Sequence, residues 1–262
     1  MSGPIVVFDS GVGGLSILDE IRKVLPDQDY CYLFDNARLP YGELEEQELV
    51  DGCKSLIVAI VEQVSASLVV IACNTASTLV LPVLRETLTI PVVGVVPAIK
   101  PAALYSQAKH IGLLATPGTI QRSYTHSLIK QFASSCRVEL FGSSELVLLA
   151  EKKAAGKAIL QEEISQLLYP IKASALDTLV LGCTHFPILK AEIQEYLGYE
   201  VLLLDSGKAV AARVSSLVGR GVSKISINSK EMNALYTQDI EEGLKKSLVE
   251  FGFSSISKVQ TD

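Results

Sequence analysis

The chain has 262 residues, enough for one large domain or two of ordinary size, and its 48% hydrophobic content supplies material for buried cores. A net charge of −6, an isoelectric point near 5.2 and no long Lys/Arg cluster exclude a nucleic-acid or anionic-membrane surface and point to a small ligand. Five cysteines, an odd number in a chain too large to need disulfide staples, indicate reduced thiols in a cytoplasm.

The first predicted strand, Ile5–Phe8, ends at Asp9, and no signal-type apolar stretch precedes it. Asp9 either caps the following helix or serves a site. Ser10-Gly11-Val12-Gly13-Gly14 then offers backbone N–H groups that suit an anion such as a carboxylate, or makes a tight strand-to-helix turn. It is not a dinucleotide fingerprint, because Ser16 stands where the third glycine belongs. A strand over Tyr30–Phe34 and a turn at Pro40-Tyr41-Gly42 lead into a helix from Glu43 to Val64. Its apolar face is Leu49, Cys53, Leu56, Ile57, Ile60 and Val64, and Glu43, Glu45, Glu46 and Glu48 form a solvated first turn.

The strand Leu68–Ala72 ends at Cys73, followed at once by Asn74-Thr75. The uncharged run from Gln63 to Leu84 has the length of a membrane span, but Ser65, Ser67, Asn74, Thr75 and Pro82 divide it into strand, turn and helix start. Further strands are predicted over Val92–Val95, His110–Ala115, Arg137–Phe141, Thr178–Leu181 and Val201–Leu204. The tail from Glu231 reads as a helix with Leu235, Ile240, Leu244, Leu248 and Phe251 on one face. This alternation specifies the α/β class, with two similar α/β domains, mainly parallel sheets and a site at their interface. Crossings at the turn-rich Gly94-Val-Val-Pro97 and near Asp205 to Lys208 divide the chain into residues 1–97 with 208–262, and residues 98–207.

A weak internal repeat supports that division. Asp9 precedes Cys73 by nearly the interval at which Thr116 precedes Cys183, each pair ending apolar runs. Both cysteines therefore lie at strand carboxyl ends, where α/β sheets bind ligands. Two thiols facing one crevice suit the removal of a proton from one face of a carbon and its return to the other. Cys31, Cys53 and Cys136 read as small hydrophobes or bystanders. His185 is a metal ligand, a cap or an acid–base partner. With no C-x-x-C pair and three histidines in all, the pattern does not favour structural zinc and no metal is expected.

Asp9-Ser-Gly-Val-Gly-Gly14, Pro40-Tyr-Gly42, Ala72-Cys-Asn-Thr-Ala-Ser77, Gly94-Val-Val-Pro-Ala98 and Leu181-Gly-Cys-Thr-His-Phe-Pro187 together resemble the glutamate racemase family, in order and at suitable intervals. The match runs from the first strand to about Gly207, and the final fifty or so residues carry no motif. The resemblance implies a cofactor-independent two-base racemase that supplies D-glutamate for peptidoglycan, with a homodimer compatible with the sequence. It makes Cys73 and Cys183 the bases, Cys73 for D-glutamate and Cys183 for L-glutamate. Asp9 supports Cys73, and His185 supports Cys183. Ser10, Tyr41, Gly42, Asn74, Thr75 and Thr184 hold the amino acid, together with Asp9 and His185. Glu151 matches a family carboxylate near the second cysteine in less distinctive surroundings.

The chemistry is consistent with that implication, since a free thiol with a pKa near 8.5 is on the order of a few per cent thiolate at neutral pH. One thiol and one thiolate then serve the two faces. A racemase for aspartate or another amino acid shares both cysteines, a non-catalytic amino-acid-binding protein needs them only for packing, and a redox dithiol joins them in a disulfide. The few residues before Ile5 carry the expectation that no peptidoglycan precursor activates the enzyme.

Overall fold

The computed structural model describes residues 3–219 and 230–259. Eight short apolar runs form strands where the sequence predicts them: β1 (Ile5–Asp9), β2 (Tyr30–Phe34), β3 (Leu68–Ile71), β4 (Val92–Gly94), β5 (His110–Ala115), β6 (Arg137–Gly142), β7 (Thr178–Leu181) and β8 (Leu202–Leu204). Two more, β9 (Met232–Tyr236) and β10 (Ser255–Lys258), close the tail. All pairings are parallel. Six strands make one sheet, ordered β10-β9-β2-β1-β3-β4, and four make a second, ordered β6-β5-β7-β8. The order β2-β1-β3-β4 in the first matches β6-β5-β7-β8 in the second, so the repeat seen in the sequence is a repeat of strand topology.

The large sheet is covered on both faces, as parallel sheets require. Ile5 and Val7 of β1 pack with Leu18 and Ile21 of α1 (Leu15–Val24), Val210 and Val214 of α10 (Gly207–Val218), and Leu244 and Leu248 of α11 (Glu242–Phe251). The alternate residues Val6 and Phe8 pack on Leu49, Cys53 and Ile57 of α2 (Glu46–Val64) and on Val80 and Leu84 of α3 (Asn74–Thr87). This two-residue alternation against a helical stripe is the expected signature of a strand buried on both sides. Around the small sheet lie α4 (Ile99–Tyr105), α5 (Pro117–Gln121), α6 (Ser123–Phe132), α7 (Glu145–Ala154), α8 (Gln161–Ala173) and α9 (Lys190–Leu197). The chain leaves β8 through Asp205-Ser206 and returns as α10, which packs on α1.

The tail corrects one expectation. Leu235 does not continue a helix; it lies in β9, opposite Leu33 of β2, and the helical pattern is confined to α11. Pairing decides this, because β9 and β10 satisfy the backbone edge that β2 otherwise presents to solvent. No described helix is long and apolar enough to cross a membrane.

Candidate active site

Strand ends bring the site together. β1 and β3 are neighbours with Phe8 opposite Ile71, so Asp9 and Cys73 emerge side by side. In the small sheet Leu114 lies opposite Leu181, which sets Thr116 beside Cys183 in the same way. Both thiols are almost fully buried.

The glycine-rich loop after β1 does hold carboxylates, and they are the protein's own. Gly11 N–H donates to Asp9 Oδ1 at 3.0 Å, and Val12 N–H donates to Glu151 Oε1 at 2.8 Å. Close approach explains the glycines. A Cβ on Gly13 would stand 2.4 Å from His185 Nδ1, and one on Gly11 would stand 2.0 Å from Glu151 Oε1. Neither glycine has a positive φ, so clearance and not backbone freedom selects them.

Asp9 is fully buried and is held by Ser10 Oγ at 3.1 Å and Thr184 Oγ1 at 2.7 Å. Burial lifts its pKa above the usual carboxylate range, against the opposing charge of His185 and the hydrogen bonds from Thr184, Gly11 and Ser10. Asp9 does not touch Cys73 by a hydrogen bond; Ser10 Oγ stands between them, 3.9 Å from Cys73 Sγ. Burial first, and then the negative charge of Asp9, push the Cys73 thiol well above its ordinary pKa. The Ala76 N–H in the first turn of α3 opposes that shift.

The second thiol has a different neighbour. His185 Nδ1 lies 3.7 Å from Cys183 Sγ, and its Nε2 lies 2.7 Å from Glu151 Oε1. Burial works against a charged imidazole there, but the hydrogen bonds and negative charge of Cys183 and Glu151 outweigh it and raise the His185 pKa well above its usual value. Glu151 comes from α7, and its bond to Val12 ties the relay to the loop that carries Asp9 and Ser10. Ser16 Oγ donates to the Thr184 carbonyl at 3.0 Å, a further tie between the halves.

A cluster of hydroxyls completes the polar surroundings. Thr75 Oγ1 lies 2.9 Å from Thr116 Oγ1 and 3.1 Å from Thr119 Oγ1, which are 3.0 Å from each other. Gly42 packs directly on Thr116. The Tyr41 hydroxyl is committed elsewhere, donating to buried Asp35 at 2.5 Å and accepting from Cys53 Sγ at 3.4 Å, so the Tyr41-Gly42 backbone is the part of that turn beside the threonines. Asn74 Oδ1 is buried without a partner among the described residues, an acceptor suited to an ammonium group.

A family model for Asp/Glu/hydantoin racemases matches residues 15–214. The chain belongs to this family. It is 78% identical over 265 residues to a glutamate racemase of Shewanella woodyi, covering all of both chains. Among solved structures it is similar to Escherichia coli glutamate racemase in complex with L-glutamate and the activator UDP-MurNAc-Ala, with a TM-score of 0.91, 44% identity and 98% of each chain covered. It is also similar to a Francisella tularensis glutamate racemase in complex with D-glutamate, with a TM-score of 0.80, 26% identity and coverage of 99% of this chain and 98% of that one.

For this racemase fold, sequence reasoning passed over Thr119 and the neighbouring Arg122. The available signal is local: Thr116 caps α5 by accepting the Thr119 N–H, with Pro117 at the first helical position. That places two threonines three residues apart on one side of a short helix start. All five cysteines are free, so Cys73 and Cys183 are not joined. No cluster of three His, Cys, Asp or Glu side chains arranged for a metal occurs among the described residues.

Proposed function

We propose that this chain interconverts L-glutamate and D-glutamate by proton transfer at Cα between two cysteines, without a cofactor, and supplies D-glutamate for peptidoglycan in the cytoplasm. The observation that carries the reading is the pair of buried thiols at matching strand ends, one with the buried Asp9 carboxylate behind Ser10 and one beside the His185 imidazole. In the direction from L-glutamate, Cys183 as thiolate takes the α-proton while His185, held by Glu151, supplies positive charge next to it. Cys73, kept as a thiol by burial and by Asp9, delivers its own proton to the opposite face. The products are D-glutamate, a Cys183 thiol and a Cys73 thiolate, and exchange with solvent resets the pair.

Asn74 Oδ1 accepts from the substrate ammonium, and the hydroxyls of Thr75, Thr116 and Thr119 with the Gly42 backbone take a carboxylate. Ser10 and Thr184 spend their hydroxyl protons on Asp9 and fix that carboxylate in place. Residues 1–97 with 208–262 and residues 98–207 form the two domains, each built on one sheet.

Racemisation of D-glutamate in D2O tests the two-base step. L-glutamate should carry deuterium at Cα from the first turnovers while the remaining D-glutamate stays unlabelled. Product that retains the original hydrogen indicates a single base and rejects the scheme. For activation, the Escherichia coli relative weighs against the expectation drawn from the short stretch before Ile5, and the rate with and without UDP-MurNAc-Ala decides between them.

A further inference from the structure

We propose that Arg122 forms an outer carboxylate-binding subsite at the mouth of the cleft between the two sheets, where the Glu46 carboxylate holds the position that a carboxylate of incoming glutamate takes over. The inference rests on the glutamate reading above and extends it to substrate entry.

Arg122 joins α5 to α6 and forms an ion pair with Glu46, the first residue of α2 on the opposite side of the cleft. The two partners are unequal. The Arg122 side chain is 14% exposed and that of Glu46 is 65% exposed. Arg122 Nε is buried with no partner among the described residues, so one solvated carboxylate serves a largely buried guanidinium with five donors. Glu46 depends less on the pair, because the N-terminus of α2 stabilises a carboxylate whether or not Arg122 is bound. An exchangeable anion on a long, exposed side chain therefore covers a cation that needs one. Burial also lowers the Arg122 pKa, in keeping with a guanidinium short of compensating charge.

Location gives the pair its significance. The cleft it spans has a volume of about 490 Å³ and is lined by Gly42, Thr78, Gly118 and Gln121 as well as by Glu43, Glu45 and Glu46. Arg122 is the one cation among those lining residues. A substrate with two carboxylates meets repulsion from the three glutamates unless a positive group receives it. Gly118 abuts the Gly42 carbonyl, and Gly42 packs on Thr116, so a carboxylate captured at Arg122 lies next to the threonine cluster. The planar guanidinium binds a carboxylate in the bidentate manner that makes such contacts strong.

The test compares the full chain with Arg122→Gln, Arg122→Lys and Glu46→Gln by racemisation of D-glutamate and by calorimetric titration with L-glutamate. Arg122→Gln should raise KM and Kd about tenfold, more than it lowers kcat, and Arg122→Lys should recover part of the loss. Glu46→Gln should act in the opposite direction and lower both about two- to threefold, since the competing carboxylate is gone. A pair that only tethers the two halves predicts the same sign for Arg122→Gln and Glu46→Gln, and that result overturns the proposal. If Arg122→Gln does not fold, the exposed Glu46→Gln change decides alone: unchanged or weakened binding overturns it. A chain that binds glutamate without racemising it sinks the reading under Proposed function, while the calorimetric signs still decide this one.

Discussion

Cys73 and Cys183 occupy matching positions at the ends of β3 and β7, yet their surroundings carry opposite charge. Cys73 has buried Asp9 behind Ser10, while Cys183 has His185 directly beside it and Glu151 behind that. The folds repeat and the electrostatics do not. In the proposed reaction, whose substrate and product are mirror images, the two faces are served by unequal groups, one thiol with a carboxylate behind a hydroxyl and the other beside an imidazole. Equal strand topology brings the two thiols to equivalent ends; the loops after the strands decide what each thiol is.

Removing either thiol should have the largest effect. Cys73→Ala and Cys183→Ala are each expected to abolish measurable racemisation with melting temperatures close to that of the parent, whereas Cys31→Ala, Cys53→Ala and Cys136→Ala keep activity. Substantial turnover by either site variant breaks the two-base assignment. Serine variants sharpen the contrast between the sides. Elimination from a β-chloro glutamate analogue needs one deprotonation, so Cys73→Ser should lose it for the D-form and Cys183→Ser for the L-form; the same preference in both variants removes the face assignment.

Glu151→Gln comes next, with a loss of about 10- to 100-fold, the range for a group that orients a reacting partner. The charge of Glu151 helps raise the His185 pKa, so its removal lowers that pKa. Imidazolium is then lost at lower pH, and the alkaline limb of the pH–rate profile should move down. An unmoved limb means that the charge on His185 does not matter to the rate. Gly13→Ala should destabilise the fold by about 1–3 kcal/mol through overpacking against His185, measured by urea unfolding. Its effect should exceed that of Cys53→Ala, where a small cavity costs about 1 kcal/mol.

Alkaline stability tests the burial of the core thiols. Burial pushes Cys31 and Cys53 up to about 12 from a normal 9.0. A raised pKa means that the unfolded chain loses its proton first. Stability is therefore intact below about pH 9 and falls as the pH rises toward 12. Urea titrations across that window should show a smaller decline in Cys53→Ala than in the parent chain.

Much of this was legible in the chain. Strands β1 to β8 are apolar runs bounded by turn residues, and Cys73 and Cys183 stand out because hydroxyl- and amide-bearing residues follow them immediately. β9 was hidden, since Leu235 falls on the helical spacing of the residues after it and only pairing with β2 reveals the strand. The site was legible where chemistry follows the local chain and obscure where it depends on docking. Val12 N–H meets Glu151, Thr184 meets Asp9, and Thr75 meets Thr116 and Thr119 only once the two sheets come together. Glu151 sits in a helix whose neighbours do not distinguish it, and the partnership of Arg122 with Glu46 spans a cleft that no local pattern encodes.

The clearance at Gly11 and Gly13 has a consequence for how the gene tolerates change. In a saturation scan scored by growth, both codons should accept few side chains, although neither contributes one to the reaction. What such a scan registers there is the width of the seam between the halves, set by the ring of His185 and the carboxylate of Glu151. A second-site change that shortens Glu151 should restore growth to an alanine at Gly11 only where the carboxylate can be spared, whereas at Gly13 the His185 backbone N stays in the way whatever the side chain. Suppressor patterns at this seam therefore separate residues kept for fit from residues kept for chemistry.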